Sequence, residues 1–162
     1  MSRFSNLVTG WSLAAAGATL TVVAVAVVIL LSASGTAAAG SSVSTTISLR
    51  ATKLGKILVA SNGHTLYAFS RDGRNHDRCA MIRGCTGVWP IVAAHGRPKA
   101  GRGVNASLLR TIRVGRVSQV TYAGHPLYTY IADSGRGDTA YVGVSQFGGS
   151  WPAVAATGRV IK

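Results

Sequence analysis

Acidic residues are scarce in this chain. Its 162 residues include no glutamate and only four aspartates, against 17 lysine and arginine residues, so the formal net charge is +13. Calcium sites need about six to eight oxygen ligands, and glycosidases need two carboxyl groups facing one cleft. No serine lies in the nucleophile-elbow pattern of the α/β-hydrolases. The sequence therefore favours a non-catalytic protein, and a hydrolase is the less favoured alternative.

Cysteine is nearly as scarce, and Cys79 and Cys85 are the only two. The five residues between them exceed the usual spacing of a zinc-binding pair, and the chain has no second pair to complete such a site. In an exported protein, two cysteines this close are typical of a disulfide that closes a small loop. We therefore predict a disulfide between Cys79 and Cys85.

Charge is absent from residues 11–39, and residues 22–31 are almost wholly aliphatic. A run of this length can cross a membrane as a helix. It can also be a signal peptide, because the alanines that precede Gly40 resemble a cleavage site. We predict that residues 1–39 are a signal peptide or a transmembrane anchor, which would attach the protein to the membrane if it is not cleaved. Residues 40–47 are predicted to be a flexible linker.

Two similar segments organise the rest of the chain, residues 63–72 and 124–133. Gly, His, Leu, Tyr and Asp recur between them at a constant offset of 61 residues. Downstream, residues 89–90 and 151–152 are both Trp-Pro, at an offset of 62. An internal repeat of this kind indicates a domain built from two copies of one unit. We predict one domain at residues 48–162, with the first copy at about 48–95 and the second at about 108–160.

The sequence of each copy predicts three strands separated by turns. In the third strand of the first copy, Leu66 and Ala68 lie on one face and Tyr67 and Phe69 on the other. The second copy has one more residue between its turn glycines, which predicts a bulge in its middle strand. The predicted fold class is all-β. The two-copy repeat is expected to form a small antiparallel β-sandwich or barrel-like domain, preceded by an N-terminal apolar helix.

The doubled motif resembles a known family. Residues 67–72 (YAFSRD) and 128–133 (YTYIAD) are similar to the Y-x-(F/W/Y)-x-x-D signature of the bacterial secreted-repeat family, often called predicted lipoproteins. The two cysteines and the first Trp-Pro pair fall where that family tends to carry them. Lipoprotein members have a cysteine just after the apolar leader, and this chain has none there. The resemblance implies an exported, two-repeat β domain and brings no established activity.

The positive charge predicts anionic surroundings. An exported protein meets anionic envelope polymers and lipid headgroups, so we expect these partners rather than nucleic acid. The densest basic stretch lies between the two copies and contains Arg97, Lys99 and Arg102. The alternative is that the charge only keeps the protein soluble.

Residues of the repeat are the candidates for ligand binding. They are His64, Tyr67, Phe69, Asp72, Asp77, His125, Tyr128, Tyr130, Asp133 and Asp138. Each histidine either bonds a backbone carbonyl at the end of its turn or joins the other in a metal or cofactor site. Asp72 and Asp133 either bond the backbone of the following turn and nearby arginines or take part in cation sites, the first with Asp77 and His76 and the second with Asp138. The aromatic residues either fill the core or line a groove for a sugar or a planar cofactor.

The Trp-Pro pairs are expected to be structural. They are Trp89, Pro90, Trp151 and Pro152, and we expect each tryptophan to cap the core of its own copy. Together these features predict an exported envelope protein that acts as a non-catalytic binding or structural module. The alternative is an extracytoplasmic protein that binds a metal or cofactor through paired His and Asp residues. The sequence does not identify the cofactor.

Overall fold

A computed structural model describes residues 44–162 of the chain. The predicted signal peptide or anchor and the first half of the predicted linker, residues 40–43, lie outside the described residues. Within the described part, no helix is long and apolar enough to cross a membrane. The first strand, β1 (Thr46–Thr52), begins two residues before the predicted start of the domain, because Ile47 is fully buried in the core.

Short strands make up most of the regular structure. After β1 come β2 (Gly55–Val59), β3 (Lys99–Ala100), β4 (Leu109–Val114), β5 (Val117–Tyr122), β6 (His125–Pro126), β7 (Ser145–Gln146), β8 (Gly149–Ser150), β9 (Ala153–Val154) and β10 (Val160–Ile161). Helical structure between residues 44 and 162 is limited to the one-turn helix α1 (Cys85–Val88) and two 3-10 turns, Cys79–Met81 and Ala106–Leu108. The predicted all-β class is confirmed.

Two antiparallel hairpins, β1–β2 and β4–β5, are the corresponding parts of the two copies. Ser48 lies opposite Val59 in the first hairpin and Arg110 opposite Thr121 in the second, so equivalent hairpin residues are 62 apart. β3 joins β1 by parallel pairing, and β6 joins β5 by antiparallel pairing. The pairs β7–β8 and β9–β10 are antiparallel and separate. The predicted two-copy architecture of small antiparallel sheets is therefore confirmed.

The predicted bulge in the middle strand of the second copy is wrong. β5 pairs with β4 without interruption, from Val117 opposite Val114 to Tyr122 opposite Leu109. The copies differ instead in the connection after the middle strand: five residues separate Val59 from its partner Thr65 in the first copy, and four separate Thr121 from its partner Pro126 in the second. The number of residues between the turn glycines is misleading. Gly55 begins β2, whereas Gly115, its supposed equivalent, lies in the turn of the β4–β5 hairpin.

Residues 65–70 and 126–131, each predicted as a third strand, do not form continuous ladders. Their backbone groups bond to several neighbours in turn: Leu66 N donates to Leu58 O at 3.0 Å, and Ala68 N donates to Pro152 O at 3.0 Å. Backbone pairing between residues 65–70 and the second Trp-Pro segment is interrupted at Pro152, because proline has no N–H to donate in return. Each segment instead connects the hairpin of its own copy to the Trp-Pro segment of the other copy.

Both faces of the motif segment are buried, as its alternation suggests. Leu66 and Ala68 pack into an aliphatic cluster with residues of both hairpins. Tyr67 and Phe69 pack into an aromatic cluster that contains both Trp-Pro tryptophans and both cysteines. Because it joins the two clusters, the motif segment lies at the centre of the domain.

Candidate functional site

The two motif segments meet by reciprocal backbone bonds. Tyr67 N donates to Tyr128 O at 2.9 Å, and Tyr128 N donates to Tyr67 O at 3.0 Å. These tyrosines are equivalent in the repeat, so the bonds place them on either side of an internal pseudo-twofold axis. Side chains that the sequence assigns to different copies are therefore brought together at this axis.

The aspartate of each motif binds the tyrosine of the other copy. Tyr67 Oη donates to Asp133 Oδ1 at 2.9 Å, and Tyr128 Oη donates to Asp72 Oδ2 at 2.8 Å. Both tyrosines are fully buried. Two charge-assisted hydrogen bonds, one buried and one partly buried, thus join the copies, where the sequence suggested local turns, arginine partners or cation sites.

Arginines of each polar loop pack on the turn of the other copy. A Cβ atom on Gly124 would lie 2.8 Å from Arg74 Cγ, and one on Gly63 would lie 2.6 Å from Arg136 Cγ. Both glycines have a φ of +90°, which side chains other than glycine rarely adopt. Arg74 Nη1 donates to Ala123 O at 3.2 Å, rather than to the aspartate suggested by the sequence. The motif glycines therefore allow this close approach between copies.

Burial raises the pKa of both cross-copy aspartates to about 6. For Asp72, the backbone N–H of Arg78, 2.8 Å from Oδ1, and the hydroxyl of Tyr128 oppose the rise in pKa because they bind the charged form. For Asp133, the hydroxyl of Tyr67 has this role. Burial also raises the pKa of Tyr67 and Tyr128, so both hydroxyls remain protonated and act as donors.

The second aspartate of each copy holds the polar loop. Asp77 Oδ1 accepts from Ala80 N at 2.8 Å, and Asp138 Oδ1 accepts from Ala140 N at 2.9 Å. Bonds from backbone N–H groups lower the pKa of Asp138. Asp77 Oδ2 is buried and has no hydrogen-bond partner among residues 44–162. The sequence suggested this turn-bonding role for Asp72 and Asp133; Asp77 and Asp138 also perform it, and Asp72 contributes through its bond from Arg78 N.

Aromatic rings of the two copies stack at the pseudo-twofold axis. The rings of Trp89 and Trp151 are parallel, with centroids 4.0 Å apart. Tyr130 stacks on Trp89 at 4.2 Å, and Phe69 stacks on Trp151 at 4.3 Å. Each tryptophan is expected from the sequence to cap the core of its own copy; it packs edge-to-face on the motif tyrosine of that copy and also stacks on the other tryptophan and on a ring from the opposite copy. These rings form core rather than a groove, although Tyr130 is only half-buried.

Gln146 in β7 binds both indole groups, and no sequence pattern indicated this contact. Its Oε1 accepts from Trp89 Nε1 at 2.8 Å, and its backbone O accepts from Trp151 Nε1 at 3.3 Å. Because this single residue contacts both copies, it does not follow the repeat symmetry. A search of the sequence for paired positions therefore does not find it. Pro90 O and Pro152 O each accept a backbone bond from the motif segment of the opposite copy.

The predicted disulfide between Cys79 and Cys85 is confirmed, with Cα atoms 5.4 Å apart. Both cysteines are fully buried in the aromatic cluster. The bridge closes the loop that carries the first 3-10 turn and leads into α1. It therefore fixes the segment that precedes Trp89.

The histidines lie at the turns after the middle strands. His64 N donates to Asn62 Oδ1 at 3.1 Å, and its backbone O accepts from Ala60 N at 2.9 Å. Burial, followed by the charge of Arg74, lowers the pKa of His125. Among residues 44–162, no group of three or more His, Cys, Asp or Glu side chains is arranged to hold a metal ion. The alternative of a metal site thus gains no support from this part of the chain.

A basic cavity of about 740 Å³ lies between the β4–β5 hairpin and residues 95–98. Its basic lining residues are His95, Arg97, Arg110, Arg113 and Arg116, and no aspartate lines it. The basic stretch predicted from the sequence is divided: Arg97 lines this cavity, Arg102 lines a smaller one of about 430 Å³, and Lys99 belongs to β3. The hairpin arginines escaped the sequence analysis because they are spread along a strand and its turn.

Two copies of one β unit, interlocked by bonds between their motifs, define a repeat protein. The family described as a secreted repeat of unknown function matches residues 48–93 and 117–155, which lie in the two copies. The chain belongs to this family, as its motif suggested. No curated protein and no solved structure matches the chain. Membership supports an exported, extracytoplasmic protein whose biochemical activity is undefined.

Proposed function

We propose that this protein is a non-catalytic binding module of the cell envelope, and that its partner is an anionic envelope component. The observation that carries the proposal is that the basic side chains are exposed to solvent, whereas the carboxylates are hydrogen-bonded within the domain. Of the 17 lysine and arginine residues, only Arg3 precedes residue 44, and the other sixteen are all exposed. The four carboxylates each accept hydrogen bonds from backbone N–H groups or tyrosine hydroxyls within the domain.

Exposed positive charge that no nearby carboxylate neutralises attracts polyanions over a distance of about 10 Å in 0.1 M salt. A protein outside the cytoplasm meets such polyanions as envelope polymers or lipid headgroups. The use of the carboxylates also supports a non-catalytic role. The two with a raised pKa bind buried tyrosines, and neither of the two basic cavities has an aspartate in its lining.

Salt-dependent retention on isolated envelopes tests this function. Full-length protein in a neutral detergent is incubated with envelope fragments, and with fragments stripped of their phosphate-containing polymers, over a range of NaCl concentrations. We expect retention at low salt, release as the screening length falls from about 10 Å to about 3 Å at 1 M, and weak retention on stripped fragments. Absence of retention at low salt would contradict the proposal, and so would retention that NaCl does not reduce.

A further inference from the structure

The cavity beside the β4–β5 hairpin concentrates positive charge on a concave surface. The hairpin contributes Arg110, Arg113 and Arg116, and the opposite wall contributes Arg97. All four side chains are exposed, so a ligand that enters the cavity can reach them. A cleft lined by charges of one sign raises the local concentration of counter-ions more than scattered surface charges do.

The repeat shows that the fold does not require these arginines. Hairpin register aligns the three arginines of the β4–β5 hairpin with three uncharged residues of the first copy, Ser48, Ala51 and Leu54. The β1–β2 hairpin keeps the same antiparallel pairing with those residues in place. Strand pairing therefore does not explain the arginines of the second copy.

The first copy provides a natural comparison. Its equivalent hairpin face borders the smaller cavity of about 430 Å³, lined by Leu49, Ala51, Lys56, Arg102 and Gly103. This lining contains two basic residues, against four arginines and a histidine in the larger cavity. Removal of the two basic residues lowers the net charge by two without altering the β4–β5 hairpin.

We propose that the larger cavity binds the phosphate groups of a phosphodiester-linked envelope polymer. This inference rests on the proposed function and adds the site and the chemistry of the ligand. A guanidinium group can donate two parallel hydrogen bonds to one phosphate. The cavity lining contains no carboxylate that would repel the phosphate. A volume of this size suits a short length of polymer chain. A bilayer surface would favour protruding apolar side chains, and Val117 is the only lining residue among the exposed large hydrophobics.

Calorimetric titration of the full-length protein in a neutral detergent tests the site, with synthetic poly(glycerol phosphate) as the probe. Two double variants, Arg113→Ala/Arg116→Ala and Lys56→Ala/Arg102→Ala, each remove two charges. We expect the first to bind about tenfold more weakly or worse, and the second to change by less than about threefold. The variant Arg113→Lys/Arg116→Lys keeps the charge and loses the paired donors, so its affinity should lie between the parent and the alanine variant.

Each other outcome contradicts a separate part of the inference. Equal losses in the two alanine variants would assign the binding to net charge and overturn the site. Equally tight binding of hyaluronate, a polycarboxylate, would overturn the phosphate chemistry. Preference for phosphatidylglycerol nanodiscs would assign the phosphate to a lipid headgroup instead of a polymer. If the parent binds envelope fragments but not poly(glycerol phosphate), the ligand is wrong and the proposed function stands. If it binds neither, both fail.

Discussion

Replacement of Tyr67 by phenylalanine removes the hydroxyl that joins the first copy to Asp133 of the second. This hydroxyl donates to Asp133 Oδ1 at 2.9 Å, and Oδ2 of the same carboxyl has no partner within residues 44–162. The variant therefore leaves a carboxyl that is only 7% exposed without its side-chain donor. A buried acceptor that loses its donor destabilises the folded state by its desolvation free energy.

The size of the effect depends on the charge of Asp133. Hydrogen bonds to charged groups contribute about 1.5–3 kcal/mol, and those between neutral groups about 0.5–1.5 kcal/mol. Because the pKa of Asp133 is raised to about 6, the carboxyl is charged at about pH 8 and protonated at about pH 4.5. We expect Tyr67→Phe to lower the free energy of unfolding by about 3 kcal/mol at the higher pH and about 1 kcal/mol at the lower pH.

A double-mutant cycle in urea shows whether the bond crosses the copies. The changes in unfolding free energy caused by Tyr67→Phe and Asp133→Asn should couple by about 1 kcal/mol or more. Those caused by Tyr67→Phe and Asp72→Asn, which lie in the same motif, should be additive within about 0.5 kcal/mol. Tyr130→Phe is the control and should change stability by less than about 0.5 kcal/mol, since Phe69 occupies the equivalent position. Equal coupling to the two aspartates, or a loss that does not vary with pH, would refute the reasoning.

Three further predictions concern the disulfide, the titration of Asp133 and a motif glycine. Replacement of Cys79 and Cys85 by serine should lower the free energy of unfolding by about 2 kcal/mol, and reduction of the parent should match it in urea titrations. Asp133→Asn removes a group whose pKa in the folded protein, about 6, exceeds the ordinary aspartate value of about 3.9, so the parent should lose about 1–3 kcal/mol relative to the variant between about pH 4 and about pH 7. A difference that does not vary with pH would contradict this. Gly63→Ala should lower the melting temperature more than Gly84→Ala. Both have positive φ, but a Cβ at Gly84 meets nothing within 4 Å.

Much of the fold could be predicted from the sequence, because its strongest signals are local. Alternation along residues 65–69 assigns the aliphatic and aromatic side chains to opposite faces, and both faces prove to be buried. The offset between copies indicates the two-unit architecture. The one-residue difference between the hairpins, which are 62 residues apart, and the motifs, which are 61 apart, could not be located from the sequence, because a change in turn length and a bulge alter the spacing equally.

The partners of the motif tyrosines could not be predicted. In each copy the aspartate follows the tyrosine by five residues, so a local pair and a pair exchanged between copies have the same sequence signature. The exchange follows from the backbone bonds between Tyr67 and Tyr128, which are long-range contacts. The same limit applies to the basic cavity, because Arg97 meets the β4–β5 hairpin only after the chain between the copies has folded back.

A crystal structure of the protein with a short glycerol-phosphate oligomer is the most direct test of the central claim, that the second copy carries a phosphate-binding site on an interlocked β scaffold. We predict density for at least one phosphate group in the cavity between the β4–β5 hairpin and residues 95–98, within hydrogen-bond distance of Arg113 or Arg116. Density confined to the smaller cavity beside Lys56 and Arg102, or absent from both cavities at saturating oligomer, would contradict the account.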